Sequence, residues 1–402
     1  MGSRQPGRHG GSPRAHVAGG FEEALKRRLD AAVDAALAEE RIVGMVVVVA
    51  REGAVVYRRA AGFADREAGQ PVREDTPFRL ASMTKPVVSA AALALVDRGL
   101  LKLDDPVTTW LPSFRPRLAD GRAPTITVRQ LLTHTSGLGY GLDAVGREAF
   151  LRLRVSGGLD QPGLSLEENL RRLQQVPLSF EPGTRWQYSL ATDVLGAVVA
   201  RAGGGTLGEV VQRWITGPLG IDLAFPSGDP RRVAMPYVDA SPRPARMTEP
   251  QEVPFMQGAL VFSPSRDFDG RSYPSGGASM VGTADAYVTF LEALRTGGGK
   301  ILRPATAAAM TSNQIGSLEV EQEGGRWGFG YGFAVLKQAE GGGMPSGAGT
   351  VQWGGVYGNH FWVDPAASLT VVVLTNTALA GMAGPFPASI RHAVYEALQA
   401  AE

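Results

Sequence analysis

The chain has 402 residues, enough for two domains or for one large domain carrying an insertion. Forty Lys and Arg stand against 39 Asp and Glu, and a net charge of +1 argues against a surface built to attract nucleic acid or an anionic membrane. There is no cysteine, which excludes disulfide scaffolds, Cys-ligated zinc, iron–sulfur clusters and a thiolate nucleophile together.

Residues 1–20 are rich in Gly, Arg and Pro and lack the apolar run of about 7–15 residues that a secretion signal requires, so they read as a disordered leader. Apolar runs such as 46–50 and 371–374 are far short of the roughly 20 residues that span a bilayer. A soluble, cytoplasmic protein is the expectation. Residues 21–42 read as an amphipathic helix with Leu25, Leu29, Val33 and Leu37 on one stripe. Two β-rich runs, 43–50 and 54–57, flank Arg51-Glu52-Gly53 and predict a hairpin. The pattern returns at the other end, where 361–363 and 369–374 surround Asp364-Pro365 and a helix follows over 387–400. Helix and hairpin at both ends imply an α+β fold whose antiparallel sheet is made from the two termini and flanked by helices. Residues 21–110 and 265–402 would form that unit. The segment 111–264, with helical stretches at 128–132, 166–175, 191–202 and 207–216, would be a mainly helical inserted domain. The active site is expected in the cleft between the two.

Common catalytic signatures are missing. No serine sits in Gly-x-Ser-x-Gly, there is no His-Glu-x-x-His, and the one Gly-Lys pair, Gly299-Lys300, lacks the rest of a phosphate-binding loop. What remains is Ser82-Met83-Thr84-Lys85, the one Ser-x-x-Lys in the chain, at the head of an apolar run to Val96. Spacing of three puts both side chains on one face of a helix. A serine hydroxyl is a weak nucleophile until a neighbouring base takes its proton, and lysine can be that base when burial and positive potential weaken its hold on its own proton. A cation in the first turn also opposes the helix dipole, so Lys85 is badly placed for stability alone. With 22 serines and five lysines, about 0.3 such motifs arise by chance, so the motif needs its context.

That context is ordered. Phe78-Arg79-Leu80-Ala81-Ser82-Met83-Thr84-Lys85-Pro86 precedes Leu131-Leu132-Thr133-His134-Thr135-Ser136-Gly137-Leu138, then Trp186-Gln187-Tyr188-Ser189, then Gln352-Trp353-Gly354-Gly355. The set resembles the serine β-lactamase and penicillin-binding-protein superfamily, and more closely the family VIII carboxylesterases of the bacterial esterase B type. The resemblance runs from about residue 21 to the end of the chain. It implies a β-lactamase/transpeptidase-like fold, Ser82 as acylated nucleophile, Lys85 as its hydrogen-bonded partner and Tyr188 acting with the lysine as general base. It also implies an oxyanion hole from the main-chain N–H groups of Ser82 and Val356. Trp353, Gly354 and Gly355 would border the substrate on a strand, Tyr140 would line the pocket, and His134 would tie loops together. No metal or organic cofactor is implied, and the partner is a small-molecule ester.

Two departures bear on specificity. β-Lactamases of this fold have Tyr-x-Asn where this chain has Tyr188-Ser189-Leu190, and Lys-Thr-Gly where it has Trp353-Gly354-Gly355. Losing an amide and a cation while gaining an aromatic ring shifts the pocket toward neutral, apolar acyl groups. The expected activity is hydrolysis of short-chain carboxylic esters through an acyl-enzyme, with weak cephalosporin hydrolysis as a side activity. A β-lactamase or DD-peptidase, an acyltransferase of the same fold, and a non-catalytic ligand-binding relative are the alternatives.

Overall fold

A computed structural model describes residues 13–142, 146–320, 326–338 and 346–401, with side chains from residue 19 onward. Its centre is an eight-stranded sheet in the order Trp327–Phe329, Ala334–Leu336, Val351–Gly355, Asn359–Asp364, Leu369–Thr375, Gly44–Arg51, Ala54–Asp65, Gln70–Pro71, every neighbouring pair antiparallel. The two termini meet in the middle of it, where Val47 faces Val373 and Val49 faces Val371. The expected sheet made from both ends of the chain is present.

Period-two alternation divides these central strands between two cores. Met45, Val47, Val49, Val371 and Val373 point to one face, against Phe21, Leu25, Leu29 and Val33 of helix Pro13–Ala38 and Ile390 and Val394 of helix Pro385–Gln399. Val46, Val48, Val372 and Leu374 point to the other, against helix Ala284–Arg295 and into the core that also takes in helix Thr84–Asp97, buried from Thr84 to Leu95. A strand apolar at every position is thus covered on both sides.

Several boundaries differ from the sequence reading. The first helix begins at Pro13, inside the stretch read as a leader, where proline is well tolerated at the first helical position, and it continues through Gly19-Gly20 into the apolar stripe. It ends at Ala38, where Glu40 takes a left-handed φ of 51° and turns the chain into the strand. The second strand runs to Asp65, well past 57. Its charged residues hid it, yet each has a partner: Arg59 reaches Asp34 at 2.6 Å and Arg58 reaches Asp285 at 2.9 Å. In the middle segment, helices Val128–Thr133, Leu166–Leu173, Ala191–Gly203 and Leu207–Val211 match expectation, the last passing into a wider π turn over Gln212–Thr216. A hairpin of strands Gln251–Phe255 and Gly258–Phe262 was not foreseen, because Pro254 interrupts its apolar pattern. Among the described residues no single helix is long and apolar enough to cross a membrane.

His360, on the strand beside the site, is buried and stacked on Trp362. Its Nδ1 meets the Gly381 carbonyl at 3.0 Å, while Nε2 is buried without a partner. Burial pulls its pKa down to about 4, so the folded protein keeps it neutral where the unfolded chain would protonate it. The unfolded state therefore binds the extra proton below about pH 6.5, and stability falls by up to about 1.4 kcal/mol per pH unit between there and pH 4. Calorimetry at stepped pH should show this acid loss, and His360→Gln should flatten it; equal slopes would contradict the assignment.

Candidate active site

The loop that leads into Ser82 is pinned before it reaches that residue. The Leu80 N–H donates to the Met280 carbonyl at 2.9 Å, and Asn359 Nδ2 donates to the Arg79 carbonyl at 2.6 Å. Ala81 then takes φ +46°, a conformation that costs an L-residue on the order of 1 kcal/mol and that persists where surrounding packing enforces it. Strand Val351–Gly355 supplies that packing. A Cβ on Gly355 would fall 2.2 Å from the Leu80 carbonyl oxygen, so only glycine lets the strand approach the loop this closely. Ser82 lies in the tight turn Ala81–Met83 just ahead of helix Thr84–Asp97, with Tyr287 donating to the Met83 carbonyl at 2.8 Å.

Three predicted side chains converge there. Lys85 Nζ donates to Ser82 Oγ at 3.1 Å, and the Tyr188 hydroxyl meets the same oxygen at 2.6 Å. Lys85 is 1% exposed, and its Nζ also donates to the Gly277 carbonyl at 2.9 Å. The ammonium stands 4.7 Å from the Tyr188 ring centroid and 5.3 Å from that of Tyr140.

Tyr188 is held from several sides. Trp353 Nε1 donates to its hydroxyl at 3.3 Å, so Trp353 contacts the reacting group as well as bordering the cavity. His134 packs its ring 5.1 Å from that of Tyr188, and its Nδ1 lies 3.0 Å from the Ser189 hydroxyl. Burial, together with the charge of Lys85, pulls the His134 pKa well below its ordinary value and keeps the ring neutral. The expected tie between loops is what its contacts describe, reinforced by Gln187, whose N–H donates to the His134 carbonyl at 2.9 Å. Tyr140 is half-buried with its ring 5.0 Å from Tyr188 and lines the cavity. Burial, and then the neighbouring Tyr188 and Asp193, push its pKa well up, so it stays a neutral phenol.

Sequence reasoning missed Asp193. It is buried in the first turn of helix Ala191–Gly203 and accepts from Ser275 Oγ at 2.7 Å, the Gly277 N–H at 2.7 Å and the Tyr273 hydroxyl at 3.0 Å. Burial pushes its pKa up, and Ser275, the charge of Lys85, Gly277 and Tyr273 oppose that rise. The Gly277 peptide is therefore gripped by the carboxylate on its N–H and by Lys85 on its carbonyl. A Cβ on Gly277 would lie 2.9 Å from Asp193 Oδ1 and 3.2 Å from Lys85 Nζ. An acid five residues past Tyr188, at the head of the mainly apolar helix Ala191–Gly203, was the available signal.

Ser82 opens into a cavity of about 840 Å³ whose walls include Tyr140, Tyr188, Trp353, Gly354 and Val356. Among the described residues no group of His, Asp and Glu is arranged to hold a metal. A serine bonded to both a buried lysine and a tyrosine, set under a strand edge, is the constellation of a serine acyl-transfer enzyme.

The comparisons agree with that class. The Beta-lactamase family description matches residues 29–391, and the chain belongs to that family. It is similar to esterase EstB of Burkholderia gladioli, 53% identical over 92% of this chain and 95% of the relative. It is also similar to protein Rv1367c of Mycobacterium tuberculosis, 32% identical over 82% of this chain and 85% of that one. Among solved structures, EstCE1, described as a hydrolase with promiscuous acyltransferase activity, superposes with a TM-score of 0.90 and 43% identity, covering 93% of this chain and 99% of its own.

The grip on Gly277 leads to a stability prediction. Asp193→Ala leaves three buried donors unpaired and should cost about 3 kcal/mol or more in urea unfolding. A loss below about 1 kcal/mol would show that water or other groups replace the carboxylate.

Proposed function

We propose that this protein is a serine carboxylesterase working through an acyl-enzyme on Ser82. The observation that carries the reading is the double bonding of Ser82 Oγ, to Lys85 Nζ at 3.1 Å and to the Tyr188 hydroxyl at 2.6 Å, at the wall of a large cavity. The 53% identity to a protein named an esterase supports the choice of ester over amide.

Ser82 Oγ attacks the ester carbonyl as the Lys85–Tyr188 pair takes its proton. The negative charge developing on the carbonyl oxygen is met by the main-chain N–H groups of Ser82 and Val356, which are set in advance and so need no reorganisation during the step. The tetrahedral adduct collapses, the C–O bond to the alcohol breaks, and the departing alkoxide takes the proton back from the pair. Water, deprotonated by the same pair, then attacks the acyl-serine, and the acid leaves with Ser82 Oγ reprotonated.

The surroundings fit neutral substrates. Where related β-lactamases carry an amide, Leu190 is buried here, and the preceding Ser189 is occupied by His134 and the Ala191 N–H. Where they carry a lysine, Trp353 points its indole N–H at Tyr188. Neither position offers a charge to a substrate carboxylate, so short esters should be turned over faster than cephalosporins. A cytoplasmic location goes with this reading, for a chain that needs no oxidative folding.

The test is a parallel assay with p-nitrophenyl butyrate and a chromogenic cephalosporin. Wild-type protein should hydrolyse the ester readily and the cephalosporin weakly, and Ser82→Ala should abolish both. Tyr188→Phe should lower ester kcat by about 10²–10⁴. Cephalosporin turnover alone would favour the β-lactamase reading, and ester turnover that survives in Ser82→Ala would overturn the mechanism.

A further inference from the structure

We propose that the catalytic cavity includes a distal apolar subsite, formed by Leu142, Phe150, Leu151 and Met256, that binds the long alkyl limb of an ester. The substrate range then extends from short esters to medium-chain ones. The inference rests on the ester reading of Ser82 and adds a class of substrate to it.

Exposure is the first observation. Among the described residues five large apolar side chains are exposed, and the two most exposed, Leu151 at 63% and Met256 at 56%, both line the cavity that holds Ser82. At about 840 Å³ that cavity is near the top of the usual range of about 300–1,000 Å³ for small-molecule sites, far more than a butyryl ester fills.

Backbone conformation is the second. Met256 occupies the turn of the 251–262 hairpin at φ +52°, between the paired residues Phe255 and Gly258. A two-residue hairpin turn with a left-handed first position normally takes glycine there. A long apolar side chain stands there instead, in a left-handed conformation and at an exposed tip that borders the cavity.

The hairpin's roots are the third. Val253 and Phe262 pack in one cluster with Ala81, the residue before the nucleophile, and Leu260 and Val356 join that cluster. Leu260 pairs with Val253, which is three residues from Met256, about 10 Å of strand. One hairpin thus runs from the reacting centre to the mouth, lining the cavity with Phe255, Met256, Ala259, Leu260 and Val261 along the way. Its tip is tied to the helix Arg147–Arg152 because Arg147 donates to the Gln257 carbonyl, and a Cβ on Gly258 would already sit 3.6 Å from both Leu142 and Arg147. The subsite is therefore preformed, and an alkyl chain entering it exchanges water for apolar walls without ordering a loop.

The experiment measures kcat/KM for p-nitrophenyl decanoate, with a long acyl limb, and for decyl butyrate, with a long alcohol limb. Each is divided by the value for p-nitrophenyl butyrate. Leu151→Ser and Met256→Ser change exposed side chains, so both variants should fold. Each should lower one of the two ratios about tenfold, mainly through KM. The limb affected identifies which half of the ester the subsite holds. Leu100→Ser, exposed at 46% and outside the cavity, should leave both ratios unchanged. Ratios unchanged in the Leu151 and Met256 variants, or a wild-type enzyme inactive on both long esters, would overturn the subsite while leaving the esterase reading standing. A wild-type enzyme inactive on p-nitrophenyl butyrate as well would overturn both.

Discussion

Everything at this site depends on one oxygen atom being held by two others that can exchange protons with it. Ser82 Oγ has Lys85 Nζ at 3.1 Å and the Tyr188 hydroxyl at 2.6 Å, and these groups come from two separate parts of the chain. Serine and lysine are linked by the start of a buried helix; the tyrosine arrives on a loop more than a hundred residues later. Keeping a lysine 1% exposed requires that its ammonium be satisfied, and the Gly277 carbonyl, itself fixed through Asp193, does that. The polar groups form one connected set in an apolar interior, and disturbing one member leaves others unpaired.

The same constraint explains the glycines and the strained alanine. Gly355 admits the strand to within contact of Leu80, Gly277 leaves room between a carboxylate and an ammonium, and Ala81 bends against its preference to present Ser82. Local backbone cost at residue 81 is borne by the surrounding packing, from Met280, Asn359 and the strand edge. Trp353 shows how one substitution serves two ends: in place of a lysine it removes a charge from the pocket and adds a hydrogen bond to the Tyr188 hydroxyl.

Much of this was legible in the sequence, for identifiable reasons. The terminal hairpins announced themselves because each contains one run, 46–50 or 371–374, that is apolar at every position, as a strand buried on both faces must be. The spacing of Ser82 and Lys85, with the ordered motifs after them, carried the fold and singled out the serine that the structure places beside Lys85 and Tyr188. What stayed hidden depends on contacts distant in sequence. Arg58 and Arg59 looked like the end of a strand until their partners Asp285 and Asp34 were in place. Asp193 looked like an ordinary helix acid, and its meaning came from Ser275, Tyr273 and Gly277, some eighty residues away. The 251–262 hairpin hid behind Pro254, which a strand tolerates here because it belongs to a two-stranded ribbon with an open edge.

The central claim is covalent: the acyl group passes through Ser82. Acid quenching during turnover of p-nitrophenyl butyrate, followed by mass spectrometry of the intact protein and its peptides, tests it directly. A butyryl adduct on the peptide containing Ser82, present in wild type and missing in Ser82→Ala, is the predicted result. Burst kinetics with the adduct on another residue, or the same adduct in Ser82→Ala, would contradict it.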